Sequence, residues 1–238
     1  MILCLDSGNT RIKWGVHDGL AWCAQGAIGH DDVAELAGLQ DQWPSLERVL
    51  LANVAGAAAG ERIRQSLGAW GARLTEIRSE RQRCGVTNLY ENPERLGVDR
   101  WCALIGAWRL FRSPAIVVMA GTATTVDVLD SNGCFEGGLI LPGIGLMLGA
   151  LASGTSDLPL ATGTYKTFPK RTDDAILTGI LDAQCGAIER VFSRLARPGA
   201  RCFISGGYAN QLARHLAVPC QNAQNLPLEG VLAISLER

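Results

Sequence analysis

Histidine is scarce in this chain and isolated where it occurs: His17, His30 and His215 are the only three. That pattern argues against a zinc centre or a nucleophilic triad built on imidazole. Cysteine is plentiful but unpaired in sequence. The eight residues Cys4, Cys23, Cys84, Cys102, Cys134, Cys185, Cys202 and Cys220 contain no C-x-x-C. Several lie inside apolar runs, where a free thiol behaves as a small hydrophobe, so they read as structural thiols. No segment reaches about 18 uninterrupted apolar residues, the length a membrane-spanning helix needs. The first run is cut at once by Asp6, with no basic lead-in or small-residue cleavage site. The expectation is a cytoplasmic protein with no membrane association. Neither sign of charge dominates: 22 Lys and Arg stand against 23 Asp and Glu, a net charge of −1. Such balance gives no overall pull toward nucleic acid, although it leaves room for a local basic patch. Two phosphate-binding signatures are also absent, G-x-x-x-x-G-K-[ST] and a well-placed G-x-G-x-x-G.

What the chain does have is alternation. Its 238 residues, 47% hydrophobic and 19% charged, suit one large soluble domain or two small ones. "ILCLD" and "RIKWGVHD" read as two strands joined by the tight turn "SGNT", a hairpin where a P-loop would open a helix. A helix over Asp31 to Leu39, the strand "RVLLANV", a helix over "AAAGERIRQSLGAWG" and the strand "RLTEIRS" follow. An irregular stretch from Cys84 to Gly97 leads into "VDRWCALIGAWRLF", whose Val98, Trp101, Leu104, Ile105 and Trp108 recur at helical spacing. From residue 115 the pattern restarts with strand "AIVVMA", turn "GTA", strand "TTVDVLD", turn "SNG" and strand "CFEGGLILPG". A long helix from about Thr172 to Ala196, the strand "RCFIS", the turn "GGYA", a helix over "NQLARHL" and the segment "LEGVLAISLE" complete it. This order predicts an α/β layer structure with a mixed sheet.

Laying Gly8 on Gly121 superposes strand–turn–strand on strand–turn–strand, with Asp6 opposite Met119 and Asn9 opposite Thr122. A repeat at half the chain length predicts two similar domains, 1–113 and 114–238. Glycine lets backbone N–H groups approach phosphate oxygens, Thr and Asn add donors, and Asp can hold magnesium through water. The plainer alternative, that "DSGNT" and "GTATT" are merely good turn formers, serves for either alone and poorly for both. "ISGGYANQL" places two glycines between a strand and a helix, a common anion site in α/β proteins. In "LGVDRW", Asp99 and Arg100 open a helix, and the plain alternative is a capping Asp beside a surface Arg.

With these pieces in order, the chain resembles the type III pantothenate kinases, relatives of acetate kinase, the sugar kinases, Hsp70 and actin. The likeness spans nearly the whole length through "DSGNTRIKWG", "NLYENPERLGVDRW", "GTATTVD", "GGLILPGIGLML", "TDDAILTG" and "SGGYA". It implies two ribonuclease-H-like domains, each a mixed sheet flanked by helices, with the active site in the cleft between them. It also implies ATP-dependent phosphorylation of pantothenate, the first step toward coenzyme A. Residues Asp6, Ser7, Gly8, Asn9, Thr10, Arg11, Ile12 and Lys13 would form the first phosphate loop, with Asp6 near Mg²⁺, and Thr122 would face the phosphates from the second domain. Tyr90, Gly97, Val98, Asp99 and Arg100 would form the pantothenate site, Asp99 as general base and Arg100 on the substrate carboxylate. Thr172 would complete the pocket across a homodimer interface. One departure is Met119, where the family often has an Asp associated with K⁺ or NH₄⁺; a thioether is a poor ligand for such ions. Two other functions stay open at this point: a non-catalytic accessory or transcription-regulatory protein on the same scaffold, and another small-acid kinase.

Overall fold

The computed structural model describes residues 1–237. In chain order the elements are β1 (Ile2–Ser7), β2 (Arg11–His17), β3 (Trp22–Gly29), α1 (Leu39–Gln42), β4 (Arg48–Asn53), α2 (Ala57–Ser66), β5 (Leu74–Glu76), β6 (Gln82–Arg83), β7 (Val86–Asn88) and α3 (Val98–Phe111). Then come β8 (Ala115–Ala120), β9 (Ala123–Leu129), β10 (Cys134–Pro142), α4 (Ile144–Gly154), α5 (Thr172–Leu195), β11 (Arg201–Ser205), α6 (Ala209–Ala213), β12 (Cys220–Asn222) and α7 (Leu226–Leu236).

The first unit comprises Met1–Arg112, Gly133–Phe135 and the chain from Asn225 onward. Its sheet runs β3-β2-β1-β4-β5. The first three strands form an antiparallel meander, and β4 and β5 add in parallel, which is the ribonuclease-H arrangement. All of β1 is buried, as a central strand covered on both faces must be. Leu3 and Leu5 point to one face, into a cluster with Ile63, Leu67 and Trp70. By strand alternation Cys4 and Asp6 point to the other. On α3 and α7, glycine allows two backbones to meet: a Cβ on Gly230 would overlap the Cys102 carbonyl, and one on Gly106 would overlap that of Leu226. This contact corrects the expected domain assignment, which put all of 114–238 in the second domain. Trp22 Nε1 donates to Glu229 at 2.7 Å and Arg48 donates to the Ser235 carbonyl at 2.6 Å, pinning α7 further.

The sequence missed β3 altogether. It is held by pairing and by Trp14, whose indole covers the cross-strand Gly26. The helix expected over Asp31 to Leu39 is instead a 3₁₀ segment, Val33–Gly38, followed by the single turn α1. Each piece buries only one residue, Leu36 and Leu39, too little apolar anchorage for a longer helix.

The second unit comprises Ser113–Asn132 and Glu136–Gln224. Its strands run β12-β11-β8-β9-β10, with β8 antiparallel to β9 and parallel to β11. Ile176, Ile180, Ile188, Val191 and Leu195 place one face of the 24-residue α5 in the core with Ile116, Val118 and Ile204. Helix α4 was not foreseen. "IGLMLGALASG" is apolar nearly all round, so it carries no 3.6-residue alternation to read.

The α3–α7 contact yields a direct test. Gly230→Ala should destabilise the protein by roughly 1 to 3 kcal/mol, the usual cost of overpacking, read as a lower urea midpoint. Gly179→Ala in α5, where nothing lies within 4 Å of the added carbon, should be neutral or stabilising.

Candidate active site

The first unit gathers charge where β1 ends. Strands β1 and β2 pair Asp6 with Lys13 and Ser7 with Ile12. The turn between them closes by the Gly8 N–H donating to the Arg11 carbonyl at 3.1 Å. Asn9, Thr10 and Arg11 project from it exposed, and Lys13 is half-buried. Ile12, expected among the loop residues, turns its side chain into the core and leaves only its backbone for the loop. The Asp6 carboxyl is buried, and its Oδ1 has no hydrogen-bond partner among the described residues; the hydroxyl of Ser7 is in the same state. Burial raises the Asp6 pKa to about 6, with Lys13 opposing and the Asp99 carboxylate reinforcing the shift. A lone buried carboxylate oxygen held near a second carboxylate is the donor chemistry a hard divalent cation satisfies. These residues therefore fit Mg²⁺.

Asp99 reaches Asp6 electrostatically because α3 begins at Val98, with Gly97 as its N-cap. Its Oδ1 accepts the Arg100 N–H at 2.8 Å. Arg100, only 5% exposed, turns elsewhere. Its Nη1 donates to the Tyr90 hydroxyl at 3.1 Å, and its guanidinium carbon lies 5.7 Å from the Tyr90 ring centre and 5.8 Å from that of Phe135. The two rings stack tilted at 5.1 Å. The surface Arg of the plainer alternative is thereby replaced by a buried, aromatic-clamped guanidinium. Thus Tyr90, Gly97, Val98, Asp99 and Arg100 form one cluster, with Val98 contributing a buried side chain.

Sequence reasoning missed two residues that brace the turns. His30 Nε2 donates to the Gly8 carbonyl at 2.7 Å, fixing the first turn from the end of β3. Its signal was hidden because β3 itself was not read. In the second unit Gly143 donates to the Thr122 carbonyl at 2.9 Å, and a Cβ there would overlap the Gly121 and Thr122 carbonyls. "GGLILPGIGLML" carried that residue without a role. The second turn also differs from the repeat alignment. Gly121 N–H donates to Ala123, not to a residue three further on, so the loop is one residue shorter and the partner of Met119 is Thr125. Thr122 sits in that turn, and Thr172 is exposed at the first residue of α5.

Two α/β units, each carrying a strand, a glycine turn and an antiparallel strand, make a fold shared with solved structures described as sugar kinases, at 15% and 14% identity. A sequence profile described as type III pantothenate kinase matches residues 2–194. The chain belongs to the type III pantothenate kinase family. It is 62% identical to a type III pantothenate kinase of Dechloromonas aromatica over 237 residues, covering 100% of both chains. It is 50% identical to one of Aromatoleum aromaticum, covering 100% of this chain and 98% of that one. A Campylobacter jejuni crystal structure named for the Baf family of transcriptional activators superposes with a TM-score of 0.65 at 21% identity, over 98% of this chain and 96% of that chain, and bears on the fold alone.

The buried Asp6 sets a pH dependence. Its folded pKa, about 6, lies above the ordinary 3.8, so between those values the native state keeps a proton that the unfolded chain has released. Stability in metal-free buffer should fall as pH rises from 4 to above 6, by on the order of 2 to 3 kcal/mol. Asp6→Asn should lose that slope and be the more stable protein at pH 8, as urea unfolding at several pH values would read. An unchanged slope would place the titration elsewhere.

Proposed function

We infer that this chain transfers the γ-phosphoryl group of ATP to the primary hydroxyl of pantothenate, giving 4′-phosphopantothenate and ADP, the first step toward coenzyme A. The single observation that supports it most is the cluster at the start of α3: Asp99 near the buried Asp6, and Arg100 clamped on Tyr90 and Phe135. The hydroxyl oxygen attacks the γ-phosphorus, the bond to the β–γ bridging oxygen breaks, and Asp99 takes the hydroxyl proton. Arg100, held by its aromatic neighbours, meets the pantothenate carboxylate at the far end of the acceptor. Tyr90, Gly97 and Val98 shape that pocket. The loop from Asp6 through Ser7, Gly8, Asn9, Thr10, Arg11 and Ile12 to Lys13 offers backbone N–H groups and one cation to the triphosphate, and Thr122 with its turn is a second phosphate-binding element. Mg²⁺, held by Asp6 through water, would neutralise charge on the phosphates.

The active unit is proposed to be a homodimer, with Thr172 completing the partner's pocket. In support, the second unit exposes Leu139, Ile140, Leu146, Leu160 and Phe168. Nucleic acid and membranes are not proposed as partners: charge is balanced, and no described helix is long and apolar enough to cross a membrane. A cytoplasmic location goes with that reading. No K⁺ or NH₄⁺ requirement is proposed, because Met119 and Thr125 offer no carboxylate where the first unit has one. Family membership and the retained Asp6, Asp99 and Arg100 favour the kinase over a non-catalytic regulator.

The test is pantothenate-dependent ADP release with Mg-ATP, with shikimate, acetate and glycerol as control acceptors. Asp99→Asn should lower kcat by about 10²- to 10⁴-fold with ATP binding kept, the range for a lost general base. Arg100→Ala should instead raise the pantothenate KM, with a loss of roughly 2 to 5 kcal/mol in kcat/KM. Turnover of a control acceptor in place of pantothenate would overturn the substrate, and a wild-type kcat in the Asp99 variant would remove that residue from the mechanism.

A further inference from the structure

The second unit sets two of the eight cysteines apart. Cys202 on β11 and Cys220 on β12 are direct neighbours in parallel register. Their sulfurs lie 3.5 Å apart, with the Cys202 thiol donating to the Cys220 sulfur. Cys202 is fully buried, whereas Cys220 sits half-buried on the edge strand. We propose that Cys202 and Cys220 are a redox-active thiol pair, a modification site that reacts with a hydroperoxide and closes reversibly to a disulfide.

The two sulfurs take different parts. The hydrogen bond from Cys202 favours the Cys220 thiolate, while donating that bond and being buried keep Cys202 protonated. Cys220 sulfur attacks one oxygen of hydrogen peroxide, the O–O bond breaks, and the departing hydroxide takes up a proton as water. Cys220 is then a sulfenic acid. Cys202 sulfur next attacks Cys220 sulfur, its own proton leaves with the sulfenic oxygen as a second water, and the S–S bond forms. Two thiols lose two electrons and one peroxide becomes two waters. Adjacent strands lie about 4.8 Å apart, within the roughly 4.4 to 6.8 Å between Cα atoms that a disulfide spans. A resolving thiol in van der Waals reach stops Cys220 at the reversible stage, before sulfinic acid. Cys185, the other buried thiol of this region, donates to the Leu212 carbonyl at 3.8 Å.

The reduced full chain, treated with a small excess of hydrogen peroxide, alkylated and digested without reductant, should yield a Cys202–Cys220 cross-linked peptide by mass spectrometry. Dithiothreitol should abolish it. In Cys202→Ala, Cys220 should instead accumulate as a sulfenic acid that dimedone labels. If that core variant does not fold, Cys220→Ser at the half-exposed position serves: the cross-link should vanish and Cys202 should stay reduced. Cys220 recovered as sulfinic acid, unmodified while other cysteines oxidise, or linked to a different cysteine in the wild-type chain would overturn the proposal.

Discussion

A carboxylate at the end of a strand buried on both faces is an electrostatic liability, and the first unit is arranged around one. Asp6 has one oxygen without a hydrogen-bond partner among the described residues, and its pKa has climbed to about 6. The neighbouring choices become legible from that constraint. Lys13 stands opposite on β2 and moderates the charge, the turn is braced by His30, and α3 begins close enough for Asp99 to add to the burden. A carboxylate raised by burial and by a second carboxylate is the kind of group that a bound cation relieves.

On the proposed function, the start of α3 would serve two ends of one acceptor from adjacent residues. Consecutive helical residues point about 100° apart. Asp99 is therefore felt by Asp6 while Arg100, one residue on, lies under Tyr90 and Phe135. Because Arg100 is held by two rings and a hydroxyl, its guanidinium is already placed, so a carboxylate meeting it on the proposed function would cost little rotamer freedom. Their position on one helix turn fixes the spacing of the two side chains more tightly than a loop would.

Most of this was legible in the sequence where a pattern had one cause. The hairpin "DSGNTRIK" and the helix from Val98 follow from buried runs, turn chemistry and apolar spacing, and both stand as read. The failures share a physical origin. β3 is rich in small residues, and its Gly26 is covered by Trp14 of the neighbouring strand, so its own pattern is muted. α4 is apolar without a polar face, and α7 joins the first unit through glycine contacts that no local window contains. The pairing of Cys202 with Cys220 is likewise a product of strand register, invisible in a spacing of eighteen residues.

The two hairpins share a strand–turn–strand plan and differ in charge. In the first, Asp6 faces Lys13 across a four-residue turn; in the second, Met119 faces Thr125 across a three-residue one. The charged pair of the first hairpin thus has two uncharged residues at the corresponding rung of the second. On the far side of Met119 the register brings Ser205, and the hydroxyls of Thr125 and Ser205 are both buried without a hydrogen-bond partner among the described residues. The second unit thus keeps the backbone cradle and neutral donors of the motif, while the first alone keeps its charge. A carboxylate suits a hard cation and neutral N–H and O–H donors suit phosphate oxygens, so on the proposed function the first turn would hold the cation and the second would meet phosphate.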